Sequence, residues 1–363
     1  MSIAGIYSYI FYAIVSIFTM YYVSLYSKHS GSTIHSSPIF YNKSVCNFLI
    51  VVLTIFLGTR PVYGNFYDTK VYYYYISSLY DVNYTFKIDT ENILWDNFIG
   101  YWAKLKWDAS LFFTIVEFIY LYCAYIACKK LFPNDVIVSF LVFLAAMSTF
   151  AYGTNGIKAG AAASIFLVGL AYHENWKVWL PMLLVSCGLH HSMNIPVLAF
   201  VGTFVYKKPK AFFCFWFVCL AMAVAHVSIF QEIFMGYVNE KEASYLITDG
   251  EDWAGKSGLR LDFIAYSAIP VLMGLYAVYK QKIEDKTYNI LLSLYLLLNA
   301  AWMLCMYANY NNRIAYLSWL LYPVVLIYPI LNCKWDRHRY PFLAKVVLLH
   351  LASSVVMDII HYK

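Results

Sequence analysis

Residues 109–130 read ASLFFTIVEFIYLYCAYIACKK. From Ala109 to Cys128 the only charged residue is Glu117, and the run closes on Lys129 and Lys130. About 20 apolar residues make a helix long enough to cross a hydrocarbon core roughly 30 Å thick. A lysine pair at one end marks the cytoplasmic side. Similar runs recur at about 2–26, 45–59, 135–151, 157–173, 176–190, 192–206, 211–230, 262–280, 288–307, 314–331 and 342–360. The chain of 363 residues is 62% apolar and 13% charged, against about 45–50% and about 25% in soluble domains. No soluble fold hides that much apolar surface, which excludes a soluble enzyme, a disordered chain and a nucleic-acid-binding domain. The sequence reads as all-α: one polytopic integral membrane domain over residues 1–363, with about twelve transmembrane helices.

No Lys or Arg precedes the first run, whose first cation is Lys28. A secretory signal carries its positive charge ahead of the apolar stretch, so this run reads as a retained helix. Lys28, Lys43, Lys129, Lys130, Lys177, Lys207, Lys208, Lys210, Lys280, Lys282, Lys286, Lys334, Arg337, Arg339 and Lys345 fall on one side, with only Asp135, Glu174, Glu284, Asp285 and Asp336 against them. The positive-inside rule makes that side cytoplasmic and puts both termini outside. The long loops at about 60–108 and 231–261 are then external. In the first, Leu94, Phe98, Tyr101, Trp102 and Leu105 recur at helical spacing, opposite Asp96, Asn97, Lys104 and Lys106. This pattern predicts an amphipathic helix over Asn92–Lys106 lying in the outer interface. The second loop carries Glu240, Glu242, Asp249, Glu251 and Asp252, which read as a solvated acidic face. Tyr72–Tyr75 read as interfacial aromatics. All eight cysteines fall in or beside apolar runs and read as small buried residues, forming neither disulfide nor metal site.

The chemistry-bearing residues collect at outer helix ends. Arg60 follows the second run, Lys158 opens the fifth, His190 and His191 end the sixth, Arg260 and Asp262 open the ninth, and Arg313 opens the eleventh. Taken singly, each cation has an ordinary explanation as a snorkelling anchor. Together they sit at one depth, where Arg offers a planar fork of donors to phosphate oxygens. Small residues from Gly156 to Ala163 allow Lys158 to pack against neighbouring helices. Imidazole titrates in a range suited to proton transfer. Asp68 could serve as a base or bind a sugar hydroxyl, or be no more than a turn acid. Glu117 lies inside a span, where a charge is costly and functional by default.

In order along the chain, Arg60 with Gly64-x-x-x-Asp68-Thr69-x-x-Tyr72 resembles the "Arg … Gly-Thr-Asp … Tyr" outer loop of the EpsG family. These are Wzy-like polysaccharide polymerases of bacterial capsule, exopolysaccharide and O-antigen pathways. Asn155-x-x-Lys158 with Gly160 and Ala162 is similar to that family's "Arg-Gln-x-x-Ala" helix start, and His190-x-Ser192 to its "His-x-Ser-Ala" element. Arg260 and Asp262 in Gly258-Leu-Arg-Leu-Asp-Phe, and Asn312-Arg313, match its later arginines. Lys158 stands where the family usually has Arg, Ala159 where it often has Gln, and Met193 where it has Ala.

The resemblance implies transfer of a growing glycan from polyprenyl diphosphate to a hydroxyl of the next lipid-linked repeat unit. The reaction takes place at the outer face of the bacterial inner membrane. Arg60, Lys158, Arg260 and Arg313 are the expected diphosphate-binding residues, since charge develops on phosphate oxygens in the transition state. His190 is the preferred base, with Asp68 as the alternative. If the helix runs through both histidines, His191 points about 100° away. No cofactor and no metal are expected, because the lipid diphosphate is already activated. The expected partners are the lipid-linked oligosaccharide, membrane lipids and a chain-length regulator, with no nucleic acid. A lipid-linked oligosaccharide flippase or other transporter, a membrane acyltransferase and a non-enzymatic scaffold are the competing readings. A transporter calls for charges along a central path, whereas here they gather at one face.

Overall fold

The computed structural model describes residues 2–28, 42–206, 208–227, 258–308, 311–335 and 338–362. The acids of the second long loop, together with Lys207, Asp336 and Arg337, lie outside the described residues. Every regular element among the described residues is helical. In chain order these are α1 (Ile3–Ser27), α2 (Lys43–Gly58), α3 (Tyr67–Ser78), α4 (Ile93–Lys104), α5 (Ala109–Leu131), α6 (Val136–Ala145), α7 (Met147–Thr154), α8 (Ile157–Ala171), α9 (Trp176–Leu189), α10 (Asn194–Val205), α11 (Pro209–Val224), α12 (Leu261–Leu275), α13 (Lys286–Leu304), α14 (Asn311–Trp319), α15 (Tyr322–Asn332) and α16 (Arg339–Tyr362). A 3₁₀ turn covers His191–Met193 and a π turn extends α12 over Tyr276–Lys280.

Local chemistry sets several of the helix starts. The side chains of Ser2, Asn42, Asp108 and Asp285 accept backbone N–H bonds from the first turns of α1, α2, α5 and α13. Such caps satisfy donors that the helix itself cannot.

The chain is a helical membrane protein. Among the described residues, six helical segments are long and apolar enough to cross a bilayer: Ile3–Ser27, Ala109–Leu131, Leu261–Lys280, Lys286–Leu304, Asn311–Asn332 and Arg339–Ile360. A seventh passage results if α6 and α7, bent by 70° at their junction, count as one span. The count of about twelve read from composition also included five shorter apolar helices: α2, α8, α9, α11 and the segment His191–Val205. The longest of these, α2 and α11, have 16 residues and cover only about 24 Å at 1.5 Å per residue, short of the full core.

The described residues form two compact units, Met1–Asn194 with Ile330–Lys363, and Ile195–Pro329. In the first, α5 packs against α2 and α8, α8 against α9, and α16 against α1 and α6. Ser8 donates to Asp358 at 2.5 Å, joining α1 to α16. His350 Nε2 lies 2.9 Å from the Val142 carbonyl, joining α16 to α6. The α6–α7 bend falls at Ala146, whose backbone is extended (φ −65°, ψ 138°). The Phe143 carbonyl accepts from Thr149 Oγ1 at 2.6 Å and from the Ala146 N–H at 3.1 Å, so side-chain and backbone bonds together bridge the break.

In the second unit α13 packs against α11 and α14. Asn299 accepts from Trp216 Nε1 at 2.8 Å and donates to Ser318 at 3.0 Å, and Trp319 Nε1 donates to Ser267 at 2.8 Å. Polar side chains hydrogen-bonded between apolar helices hold such bundles together.

All eight cysteines are free. Five are buried, Cys123 and Cys187 are half-buried, and Cys214 is exposed. The expectation of eight buried cysteines is corrected there: Cys214 lies on an exposed face of α11 with Phe215, Phe217 and Val218.

The first long loop carries two helices, α3 and α4. The second is the helix predicted over Asn92–Lys106, but its buried face differs from the one read from periodicity. Trp95, Asn97, Ile99, Gly100, Trp102 and Ala103 are buried, whereas Leu94, Tyr101 and Leu105 are exposed. Asn97 faces inward because its amide is fully engaged. Oδ1 accepts from the Lys87 N–H at 2.8 Å, and Nδ2 donates to the Lys87 and Ile93 carbonyls at 2.8 and 2.7 Å. A buried amide with all its bonds made costs little.

Candidate functional site

An aromatic cluster organises the first unit's candidate residues. Trp95, Ile99 and Trp102 of α4 pack with Ile76 of α3, Phe112, Phe113 and Val116 of α5, and Ile157 and Ala161 of α8, with Tyr72 and Leu189 at its margin. Phe113 also lies 5.3 Å from the Arg60 guanidinium carbon, in cation–π range. Ile157 precedes Lys158 and Leu189 precedes His190, so Arg60, Lys158 and His190 each adjoin a member of this cluster.

Arg60 is 3% exposed. Its Nε donates to Thr69 Oγ1 and its Nη1 to the Leu57 carbonyl, both at 2.6 Å. The turn between Arg60 and Thr69 passes through Asn65 at φ 64°, a left-handed conformation that Asn tolerates better than most residues. Burial pushes the Arg60 pKa down to about 10, against the opposing charges of Glu117 and Asp68. The guanidinium therefore stays protonated at neutral pH. Its Nη2 is buried with no hydrogen-bond partner, as is Oε1 of Glu117. Asp68, half-buried, lies in the first turn of α3, where the helix dipole favours an acid.

Lys158 is half-buried in the first turn of α8. A cation there opposes the dipole, so helix energetics do not account for it. No side chain caps this helix start, and a cation beside first-turn N–H groups is complementary to an anion. Ser186 of α9 donates to the Ala162 carbonyl at 2.7 Å and holds the two helices together beside this end.

The two histidines do not lie on a continuing helix. α9 ends at Leu189, and His190 is extended (φ −147°, ψ 116°). The expected divergence of about 100° is replaced by neighbouring rings, with centroids 5.2 Å apart and planes tilted 31°. His190 Nδ1 accepts from the Ser192 N–H at 3.2 Å and lies 2.7 Å from Ser192 Oγ. The His191 N–H donates to Asn92 Oδ1 at 2.9 Å, and His191 Nδ1 lies 3.2 Å from the same oxygen. Asn92 precedes α4 but makes no side-chain cap, because its amide oxygen is given to His191 instead. α4 packs directly on α9. A Cβ on Gly188 would lie 2.8 Å from the Leu94 side chain, so a larger residue there would require Leu94 to shift.

In the second unit, Arg260 precedes α12 and is 8% exposed. It forms a two-pronged pair with Asp262, Nε to Oδ1 at 2.9 Å and Nη2 to Oδ2 at 2.7 Å. Its guanidinium carbon lies 3.7 Å from the Phe263 ring centroid. Its N–H donates to Met306 Sδ at 3.4 Å, and the Met306 carbonyl accepts from Asn311 at 2.7 Å. These bonds tie the starts of α12 and α14 together. Arg313, exposed, is in the first turn of α14. Within this unit Arg260 and Arg313 therefore stand at linked helix starts.

Sequence reasoning gave no role to Thr69, Asn92 or Ser192. Ser192 had a local signal in its spacing from His190. Asn92 had none, being 99 residues from its partner.

The fold is that of a polytopic helical membrane protein with Arg60 just past a helix end, Lys158, Arg260 and Arg313 at helix starts, and an imidazole pair beside an aromatic cluster. The EpsG family profile matches residues 43–362, and the chain belongs to that family. Membership indicates a polysaccharide polymerase-like membrane protein. No curated protein and no solved structure matches the chain significantly.

Proposed function

We propose that the chain is a repeat-unit polymerase, a glycosyltransferase moving a growing glycan from polyprenyl diphosphate to a hydroxyl of the next lipid-linked unit. The reading places it in the bacterial inner membrane with both termini and the loop carrying α3 and α4 outside. All twelve apolar passages then span the bilayer, the short ones where it thins around the protein. The observation that carries the reading is that Arg60 lies against Phe113 of one aromatic cluster, while Lys158 and His190 directly follow its members Ile157 and Leu189.

In this reading Lys158 of the first unit binds the diphosphate, whose negative charge grows as the anomeric C–O bond breaks; Arg260 and Arg313, expected from the sequence to bind diphosphate as well, stand at linked helix starts in the second unit. Arg60, buried and bound to Thr69 in the first turn of α3, supplies positive charge there. The acceptor hydroxyl gives its proton to an imidazole of the histidine pair, with Asp68 as the competing acceptor. The lipid-linked oligosaccharide is the substrate, and a chain-length regulator is the proposed protein partner. The test is reconstitution of the full chain in lipid vesicles with polyprenyl-diphosphate-linked oligosaccharide extracted from cells lacking it. Products longer than one repeat unit support the reading. Movement of the lipid-linked unit across the bilayer without elongation supports a flippase instead.

A further inference from the structure

We propose that the two neighbouring histidines are held in opposite tautomers, so that His191 Nε2 takes the proton and His190 Nε2–H donates a hydrogen bond. This rests on the polymerase reading for its substrate, while the tautomers rest on geometry alone. The Ser192 backbone N–H has only a hydrogen to offer, so the His190 Nδ1 that it meets at 3.2 Å is an acceptor. A neutral ring then carries its hydrogen on Nε2. At His191 the logic inverts. The His191 backbone N–H donates to Asn92 Oδ1 at 2.9 Å, which fixes that atom as the amide oxygen. An amide oxygen only accepts, so the ring Nδ1 lying 3.2 Å from it is N–H. The lone pair of His191 therefore resides on Nε2.

An acid edge and a basic edge thus stand on rings 5.2 Å apart, both half-buried. In the reaction, the acceptor O–H bond breaks and its proton passes to His191 Nε2, leaving an imidazolium that returns the proton to water. The hydroxyl oxygen forms the new bond to the anomeric carbon. The old anomeric C–O bond breaks, and its electron pair leaves with the diphosphate. His190 Nε2–H donates to an anionic diphosphate oxygen and keeps its proton throughout. Asn92 and Ser192 are positioning residues: each fixes which nitrogen of its histidine holds the hydrogen. The preferred base thereby moves from His190 to its neighbour.

Two measurements on the full chain test this. Nitrogen-15 spectra of the histidine rings in lipid nanodiscs should place the unprotonated nitrogen at Nδ1 in His190 and at Nε2 in His191. Asn92→Leu should remove that bias at His191 and leave His190 unchanged. The reverse assignment at either ring overturns the proposal, whatever the activity. In the vesicle assay with extracted polyprenyl-diphosphate-linked oligosaccharide, His191→Asn keeps an amide N–H for Asn92 but has no base. It should lose at least about 100-fold in elongation, the low end for general base catalysis. His190→Gln keeps a donor near the Nε2 position and should lose less than about tenfold, whereas His190→Ala should lose more. Elongation by His191→Asn at the wild-type rate overturns the base assignment. Wild-type protein that binds the lipid-linked unit without elongating it overturns the polymerase reading, and the ring spectra then decide the tautomers alone.

Discussion

The carboxylate of Glu117 rests against the backbone of Gly153: a Cβ on that glycine would lie 2.9 Å from Oε1 and 3.1 Å from Oε2. α5 and α7 thus meet around a carboxyl group that is 1% exposed. We expect Gly153→Ala to lower the thermal midpoint of the purified protein, at an overpacking cost of about 1–3 kcal/mol. Adding Glu117→Ala should recover part of that loss. A Gly153→Ala protein as stable as wild type would show that the carboxylate can move aside.

The Arg60–Thr69 bond gives a second prediction. Thr69→Val removes the hydroxyl at nearly constant volume and should cost about 1.5–3 kcal/mol, the range for a hydrogen bond to a charged group. Thr69→Ser should stay near wild type. Thermal unfolding of the three proteins in one detergent measures the difference, and equal midpoints for Val and Ser refute the role given to the bond.

The cations at helix starts give a third. Lys158→Ala and Arg313→Ala should each cut elongation about ten- to hundredfold with protein abundance unchanged, from loss of one charge-assisted hydrogen bond. Lys158→Arg should retain most activity, since Arg adds donors without losing charge. Arg260→Ala should cost more, because it also strands the Asp262 carboxylate bound at 2.7 Å. Normal polymer from both Arg260→Ala and Arg313→Ala would refute a role for these two arginines in diphosphate binding.

Orientation is tested by labelling. In a cysteine-free background, an impermeant thiol reagent applied to intact spheroplasts should modify Lys106→Cys, in the loop read as external. It should miss Lys208→Cys on the basic side. The opposite pattern inverts the proposed topology.

Much of the scaffold was legible because a membrane leaves few choices. The run over α5 could only be a spanning helix, and the period in residues 93–104 could only be a helical one. The facing of that helix was not legible. Asn97 is polar by composition but buried, since Lys87, outside any helix, supplies it with backbone partners. The histidine turn was misread for a related reason. His190 leaves the helix because its own ring accepts the Ser192 N–H, a local bond that hydropathy does not register. The Asn92–His191 contact joins segments 99 residues apart, and no periodicity spans that distance. Charge singled out the candidate residues in the sequence, whereas the neutral residues that hydrogen-bond to them carried no such mark.

The pairing of α1 with α16 bears on how the protein is made. Ser8 and Asp358 are 350 residues apart, and translation proceeds at about 5–20 residues per second. The helix carrying Ser8 therefore waits roughly 20–70 s for its partner to emerge from the ribosome. During that interval all of Ile195–Pro329 is synthesised and inserted, although it belongs to the other unit. The first unit is thus begun first and closed last.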